Sequence, residues 1–193
     1  MFKLINCVDI LKSADVMESK NLKLRRFHIK DIEDVYEYAK DEETVKYLTW
    51  DKADKLEDVI YIINNIYNNL GVFAIELKEE NKCIGCIEMR LDDLNHKVSF
   101  GYVLNRNYWN RGYMTEALKL LIDLSFEKLG VNKVEATYYK GNEASGKVMK
   151  NAGMILEGVI EDELLIKGKY RDVYHYGMTK ERYNKLKNKE RNV

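Results

Sequence analysis

Proline is absent from the 193 residues, and cysteine and histidine occur three times each. The missing proline carries no mechanism. Neither sign of charge is in excess: 32 Lys and Arg stand against 32 Asp and Glu, a formal net charge of zero. That argues against a general nucleic-acid-binding protein, whose domain is usually basic. Long apolar runs are missing too. None approaches the roughly 20 residues that cross a bilayer. The start, MFKLINCVDILKSADVMESK, is broken by Asp9, Lys12, Asp15 and Glu18, so it lacks the apolar block of a signal peptide. The expectation is a soluble, cytoplasmic protein with no membrane and no specific nucleic acid among its partners. No repeat, low-complexity linker or second domain stands out. A chain of 193 residues suits one domain with a sizeable core.

The scarce residues bear on chemistry. Cys83 and Cys86 form a C-x-x-C, "CIGC", with Cys7 remote from both. A redox pair or half a zinc site has that spacing. But "NKCIGCIEMRL" reads as a strand, where side chains three apart point to opposite faces, and there is no second cysteine pair. No metal is expected. His28, His96 and His175 are isolated in sequence, His96 in a turn, and all three read as structural.

The periodicity gives an element order. Strands are expected at 21–27, 72–77, 82–91, 97–104 and 132–139, and in two arms across 154–178 with a turn at "KGKY". Helices are expected at 31–40, with Asp31 as a cap, at 55–71, from the middle of "NYWNRGYMTEAL" to about Leu129, and at 142–153. A basic helical tail, "KERYNKLKNKERNV", reads as a solvated helix end whose cations suit the helix dipole. This is an α+β chain with a mixed, mostly antiparallel sheet. The strand–helix–strand unit in its middle implies one parallel pair.

The junction at "NYWNRGYMTEAL" (107–118) carries the chemistry. A strand ends, Gly112 turns the chain and a helix starts. A helix N-terminus offers unpaired N–H groups and the positive dipole end, a natural phosphate site. Gly112 permits positive φ and close approach, Asn110 tolerates the left-handed region, and Arg111 adds a charge for a phosphate.

This region resembles the acetyl-CoA loop of the GNAT superfamily of N-acetyltransferases, and more narrowly its RimJ/RimL-like branch, which includes enzymes that acetylate ribosomal-protein N-termini. The resemblance runs from "LKLRRF" at residue 22 to "YHYGMTKERY" ending at 183. It includes "YLTW", "FAIELKEENKCIGCIEMR", "VSFGYVLNRNYWNRGYMTEAL", "NKVEATYYKGNEASGKVMKNAGMILEGV" and "IKGKYRDVYHYGM", in the family's order and spacing. It implies the GNAT fold over 21–183, with 1–20 an N-terminal extension and 184–193 a basic C-terminal tail. It also implies acetyl-CoA as co-substrate, its pantetheine in the wedge between strands 97–104 and 132–139, beside Val103 and Leu104. The family's loop pattern falls on Trp109, Asn110, Arg111, Gly112, Tyr113 and Met114. Gly112 matches, while Trp109 and Met114 depart from it. The pyrophosphate is expected on the N–H groups of Asn110, Arg111, Gly112, Tyr113, Met114 and Thr115, with the Met114 side chain in the helix's apolar stripe.

The second motif, "NEASGKVMKNAGM", implies Asn142 as a pantetheine ligand. Many superfamily members carry a proton-donating Tyr seven residues later; here stands Met149, which cannot donate. Ser145, three after the Asn, is the branch's alternative, as proton donor and cofactor contact. A first-turn serine bonding backbone is the plainer reading. Glu88 is the candidate base, on a strand face expected to hold Ile84, Cys86 and Arg90, and an ion pair is its structural alternative. Glu135 is a weaker candidate.

A dedicated base is not required for an α-amine, whose pKa of about 7.7–8.0 leaves on the order of a tenth neutral at pH 7; a lysine near 10.4 leaves under roughly 0.1%. The acceptor expected is therefore a protein N-terminus, most plausibly ribosomal. A small amine such as a polyamine, antibiotic or amino acid is the alternative acceptor. A module that binds acetyl-CoA without turnover is the reading from another class.

Overall fold

The computed structural model describes residues 7–14 and 16–191. In chain order the elements are α1 (Cys7–Ser13), β1 (Val16–Glu18), β2 (Leu22–Arg25), α2 (Ile32–Ala39), α3 (Glu42–Val45), α4 (Leu56–Ile62), β3 (Val72–Leu77), β4 (Lys82–Asp92), β5 (Lys97–Leu104), α5 (Tyr113–Asp123), β6 (Lys133–Tyr139), α6 (Glu143–Asn151), β7 (Ile155–Ile166), β8 (Lys169–Thr179) and α7 (Lys180–Arg191). Helices α4 and α5 each run on into a π-helical turn, at Ile63–Tyr67 and Leu124–Lys128.

The strands form one sheet in the order β1-β2-β3-β4-β5-β6-β8-β7. β5 and β6 are the parallel pair, in register from Lys97↔Lys133 to Phe100↔Ala136. The pairs β1–β2, β2–β3, β3–β4, β6–β8 and β7–β8 are antiparallel. This is the mixed sheet expected from the sequence. Residues 16–18 of the expected N-terminal extension pair with β2 as an edge strand, while residues 1–6 lie outside the described residues. The last helix takes in most of the basic tail.

The chain forms two compact units, residues 1–88 with 102–120 and residues 89–101 with 121–193. In the first, α2, α4 and the π-helical turn lay Val35, Tyr38, Val59, Ile63 and Tyr67 against Val72, Ala74, Cys83 and Cys86 of the sheet. Beneath this core the Arg25 guanidinium grips two buried carboxylates, Nη1 and Nη2 donating to Asp31 at 2.7 and 2.8 Å and Nε to Glu76 at 2.5 Å. In the second unit, Tyr138 of β6 stacks on Tyr174 of β8 at 4.7 Å, and Phe126 on Tyr183 of α7 at 4.7 Å. Helix α6 crosses so close to β6 that a Cβ on Gly146 would lie 2.6 Å from the Tyr138 ring. Only glycine permits that approach.

Two sequence readings are corrected here. Asp31 stands at the N-cap position of α2 but makes no side-chain cap bond. Its carboxylate is drawn to Arg25 and to the His28 N–H at 2.8 Å. The opposite-face reading of the two cysteines also fails. Ala74 pairs with Cys86 and Ile75 with Gly85, but Glu76 pairs with Cys83, so Ile84 is an extra residue in β4. Residues 74 and 76 share a face, so Cys83 and Cys86 do too, and both lie in the first unit's core. The bulge also takes Ile84 out of phase with Glu88 and puts Cys83 there instead. Both thiols are free and buried, and burial pushes their pKa far up, so they are inert core side chains. Among the described residues no group of three or more His, Cys, Asp and Glu is placed to hold a metal ion.

Candidate functional site

In the first unit the junction after β5 is braced before it turns. Asn105 is buried. Its N–H donates to the Ile84 carbonyl at 2.8 Å, its Oδ1 accepts the Asn107 N–H at 3.0 Å and its Nδ2 donates to Glu37 at 2.9 Å. The same Glu37 carboxylate accepts Lys82 Nζ at 2.6 Å and Asn107 Nδ2 at 3.2 Å. The Lys82 ammonium, with the two asparagines, holds Glu37 below the usual carboxylate range. Tyr108 is buried and its hydroxyl donates to Glu80; burial and that carboxylate push the phenol well above its ordinary value. The Trp109 indole N–H donates to the Leu104 carbonyl at 2.7 Å, so the aromatic residue that departs from the family pattern pins the loop to the strand it leaves.

The turn follows. Asn110 has φ +60° and Gly112 φ +83°, both in the left-handed region, as the residue types led one to expect. A Cβ on Gly112 would meet nothing within 4 Å, so the backbone there is open to a ligand. Helix α5 starts at Tyr113, with the Gly112 carbonyl accepting the Glu116 N–H at 3.0 Å. The N–H groups of the first turn have no acceptor within the helix and the dipole adds positive potential. Arg111 is exposed, its guanidinium 5.4 Å from the Tyr108 ring centroid. Glu116 would set a negative charge in this turn, but its carboxylate is held by Asn21, through the backbone N–H at 2.8 Å and Nδ2 at 2.9 Å. Burial works to raise its pKa; the bonds from Ser19 and Asn21 outweigh it and keep it low. Met114 is buried, as its place in the apolar stripe implied, and Val103 and Leu104 are buried at the end of β5. Thr115 is half-buried.

In the second unit, Asn142 is the N-cap of α6 and makes no side-chain cap bond. Its amide is therefore not spent on the helix. Ser145 is half-buried in the first turn, its N–H donating to the Asn142 carbonyl at 3.0 Å. Met149 is fully buried, so the residue standing at the usual tyrosine position is core. Glu135 binds Lys97 Nζ at 2.9 Å across the parallel pair. Glu88, in the first unit, is half-buried on β4 opposite Val72, on the face of Cys86. His28 caps the turn before α2, and His96 has φ +49° in the β4–β5 turn. His175 on β8 has a carboxylate partner, Glu163, at 2.6 Å.

An anion cradle at a glycine-led helix start is what a CoA pyrophosphate requires. The model of the Acetyltransferase (GNAT) domain matches residues 21–155. The chain belongs to this acetyltransferase family. It is 30% identical over 175 residues to an uncharacterized N-acetyltransferase, p20, of Bacillus licheniformis, covering 88% of this chain and 98% of that one. Among solved structures it is similar to a GNAT-family acetyltransferase from Bacillus anthracis, with 28% identity, a TM-score of 0.79 and coverage of 86% and 99%. The spermidine N-acetyltransferase of Vibrio cholerae, solved with CoA and spermine, shares the fold at 17% identity, a TM-score of 0.72 and coverage of 86% and 99%. As a GNAT enzyme the chain is an acetyl-CoA-dependent N-acetyltransferase with the GNAT fold. Among the described residues no helix is long and apolar enough to cross a membrane.

The residues that sequence reasoning missed are Glu37, Glu80, Asn105 and Glu116. The "NRN" after a strand signals a turn, but nothing local marks Glu37, which lies 68 residues from Asn105.

Proposed function

We propose that this enzyme acetylates the N-terminal α-amine of a protein, in the manner of the RimJ/RimL-like branch, a ribosomal protein being the acceptor the resemblance favours. The observation that carries the cofactor half is the open, left-handed turn at Gly112 leading into the bare first turn of α5. The pyrophosphate lies on the N–H groups of Asn110 to Thr115 and meets Arg111, while Val103, Leu104 and Asn142 bind the pantetheine arm. The acceptor nitrogen attacks the thioester carbonyl, the C–S bond breaks, and Ser145 protonates or hydrogen-bonds the leaving sulfur. Glu88 is the carboxylate that the sequence offers as proton acceptor.

A polyamine acceptor is the second reading, favoured by the fold shared with the spermidine enzyme and by the acids Glu157, Glu161, Asp162 and Glu163 along β7. Mass spectrometry of peptides with a free N-terminus and internal lysines, run beside spermidine, separates the two. Label on the α-amine is the expected result. Acetylation confined to lysine, or turnover with spermidine alone, refutes the N-terminal assignment and leaves the acetyltransferase standing.

A further inference from the structure

The β7–β8 hairpin is distorted at two places, at Glu157 and again beyond Ile160. Gly158 pairs with His175 and Ile160 with Val173, but Leu164 pairs with Arg171. Glu161 to Glu163 stand against the single Asp172 and bulge out, with Asp162 at φ +48° and its N–H donating to Asp172 at 3.3 Å. Carried straight on, the first register would set Glu163 opposite Tyr170, far down the strand from His175. The bulge instead brings Glu163 Oε2 to 2.6 Å from His175 Nε2. Bulges of this kind re-aim side chains beside active sites. In the neutral imidazole that donates Nε2–H to the ionised carboxylate, Nδ1 is left as the acceptor. Among the described residues Nδ1 has no hydrogen-bond partner. Both side chains are about one-third exposed, at 34% and 29%, so water and an amine can reach them.

The location is as informative as the pair. Pairing of β6 with β5 is in register only to Ala136. The next residue, Thr137, is exposed, and its partner on β8 is His175. Directly opposed side chains lie about 5 Å apart at Cβ. His175 therefore stands one strand in from the edge of β6 where the parallel pairing stops, the edge along which the family places the acetyl-bearing arm.

We propose that His175, held by Glu163, is the general base that takes the acceptor's proton, directly or through one water. This rests on the acetyltransferase reading above. The ammonium gives one proton to Nδ1, and the freed lone pair forms the N–C bond. The C–S bond breaks, the nitrogen's second proton leaves, and the sulfur is protonated through Ser145. The imidazolium then returns its proton to water. Ammonium and acetyl-CoA give amide, CoA thiol and one proton.

The test measures thiol release with two acceptor probes, a serine-initiated peptide and spermidine, and acetyl-CoA binding by calorimetry. His175→Ala and His175→Gln should lower turnover about 10²–10³-fold with acetyl-CoA affinity unchanged, and added imidazole should partly restore His175→Ala. Glu163→Gln should lose roughly tenfold, and Glu88→Gln is the parallel variant for the other candidate base. Wild-type turnover in both His175 variants overturns the proposal, as does a loss that tracks acetyl-CoA affinity and ignores imidazole, or a loss confined to Glu88→Gln. Silence toward both probes in an enzyme that binds acetyl-CoA also overturns it and leaves the cofactor assignment intact. Failure of the parent enzyme to bind acetyl-CoA removes both.

Discussion

At Gly112 a side chain would find empty space, so the cost of substitution there is backbone conformation and not collision. A β-branched residue held at φ +83° is strained by roughly 1–2 kcal/mol. The turn relaxes by moving the N–H groups proposed to hold the pyrophosphate. Gly112→Val is expected to melt as a cooperative fold a few degrees lower and to bind acetyl-CoA at least tenfold more weakly by calorimetry; unchanged affinity in a folded variant would refute the phosphate assignment. Ser145 calls for a kinetic measurement. A thiol with pKa near 8.5 leaves without much help, so Ser145→Ala should lower turnover by only about 10–10³-fold. A variant as fast as the parent under rate-limiting chemistry would remove Ser145 from the mechanism. Asn142, Ser145 and the Asn110–Thr115 turn could be nominated from the sequence because their signals are local: turn residues, a helix start and their spacing all lie within a dozen positions. His175 was not, because its meaning depends on a carboxylate that only the β7 bulge delivers.

The elements read best were those bounded by turn residues on both sides. β3 and β5 occupy the residues that alternation assigned, 72–77 and 97–104. α3, a four-residue helix capped by Asp41 through the Thr44 N–H at 2.9 Å, is too short to show a period. β4 was found, but its faces were misassigned, since alternation cannot register an inserted residue. The Arg25 cluster was equally invisible, because β2, β3 and the turn before α2 contribute one residue each. Burial would raise the Asp31 pKa, but Arg25 and the His28 N–H outweigh it and hold it below the usual range. Its stabilising contribution is therefore complete above its unfolded pKa of about 3.9 and disappears as pH falls through the lower folded value. Arg25→Met leaves two buried carboxylates unpaired and should cost about 3–5 kcal/mol in urea unfolding at pH 7. The deficit should shrink near pH 3, where the unfolded-state acids protonate. A deficit independent of pH would assign it to packing.

On the scale of the whole molecule, a mixed sheet with β5 and β6 parallel followed from the sequence because one helix separates the two strands. The division into two units did not, since it cuts through β4, β5 and α5 and leaves no mark in composition. The C-terminal boundary can be tested directly. Tyr183 is buried against Phe126 and donates to Asp123 and Glu127 at 2.9 and 2.6 Å, whereas beyond it Lys187 reaches Asp123 at 2.9 Å on the surface. We expect a chain ending at Tyr183 to lose a few degrees in melting temperature, and one ending at Thr179 to lose roughly 6–20 °C, given about 2–4 °C per kcal/mol at this size and 3–5 kcal/mol for a buried aromatic. Equal losses would place the boundary elsewhere.

The extra residue in β4 has a bearing on how related chains are compared. Most strand positions cannot be gained or lost, because a shift by one exchanges the two faces. Ile84 is one exception: pairs on either side of it keep their partners without it. Its carbonyl nevertheless accepts the Asn105 N–H at the root of the turn that leads to α5. A relative with a one-residue gap between Cys83 and Gly85 would keep the strand pairing on either side, yet lose the fully buried Ile84 side chain and anchor the loop after β5 by another route.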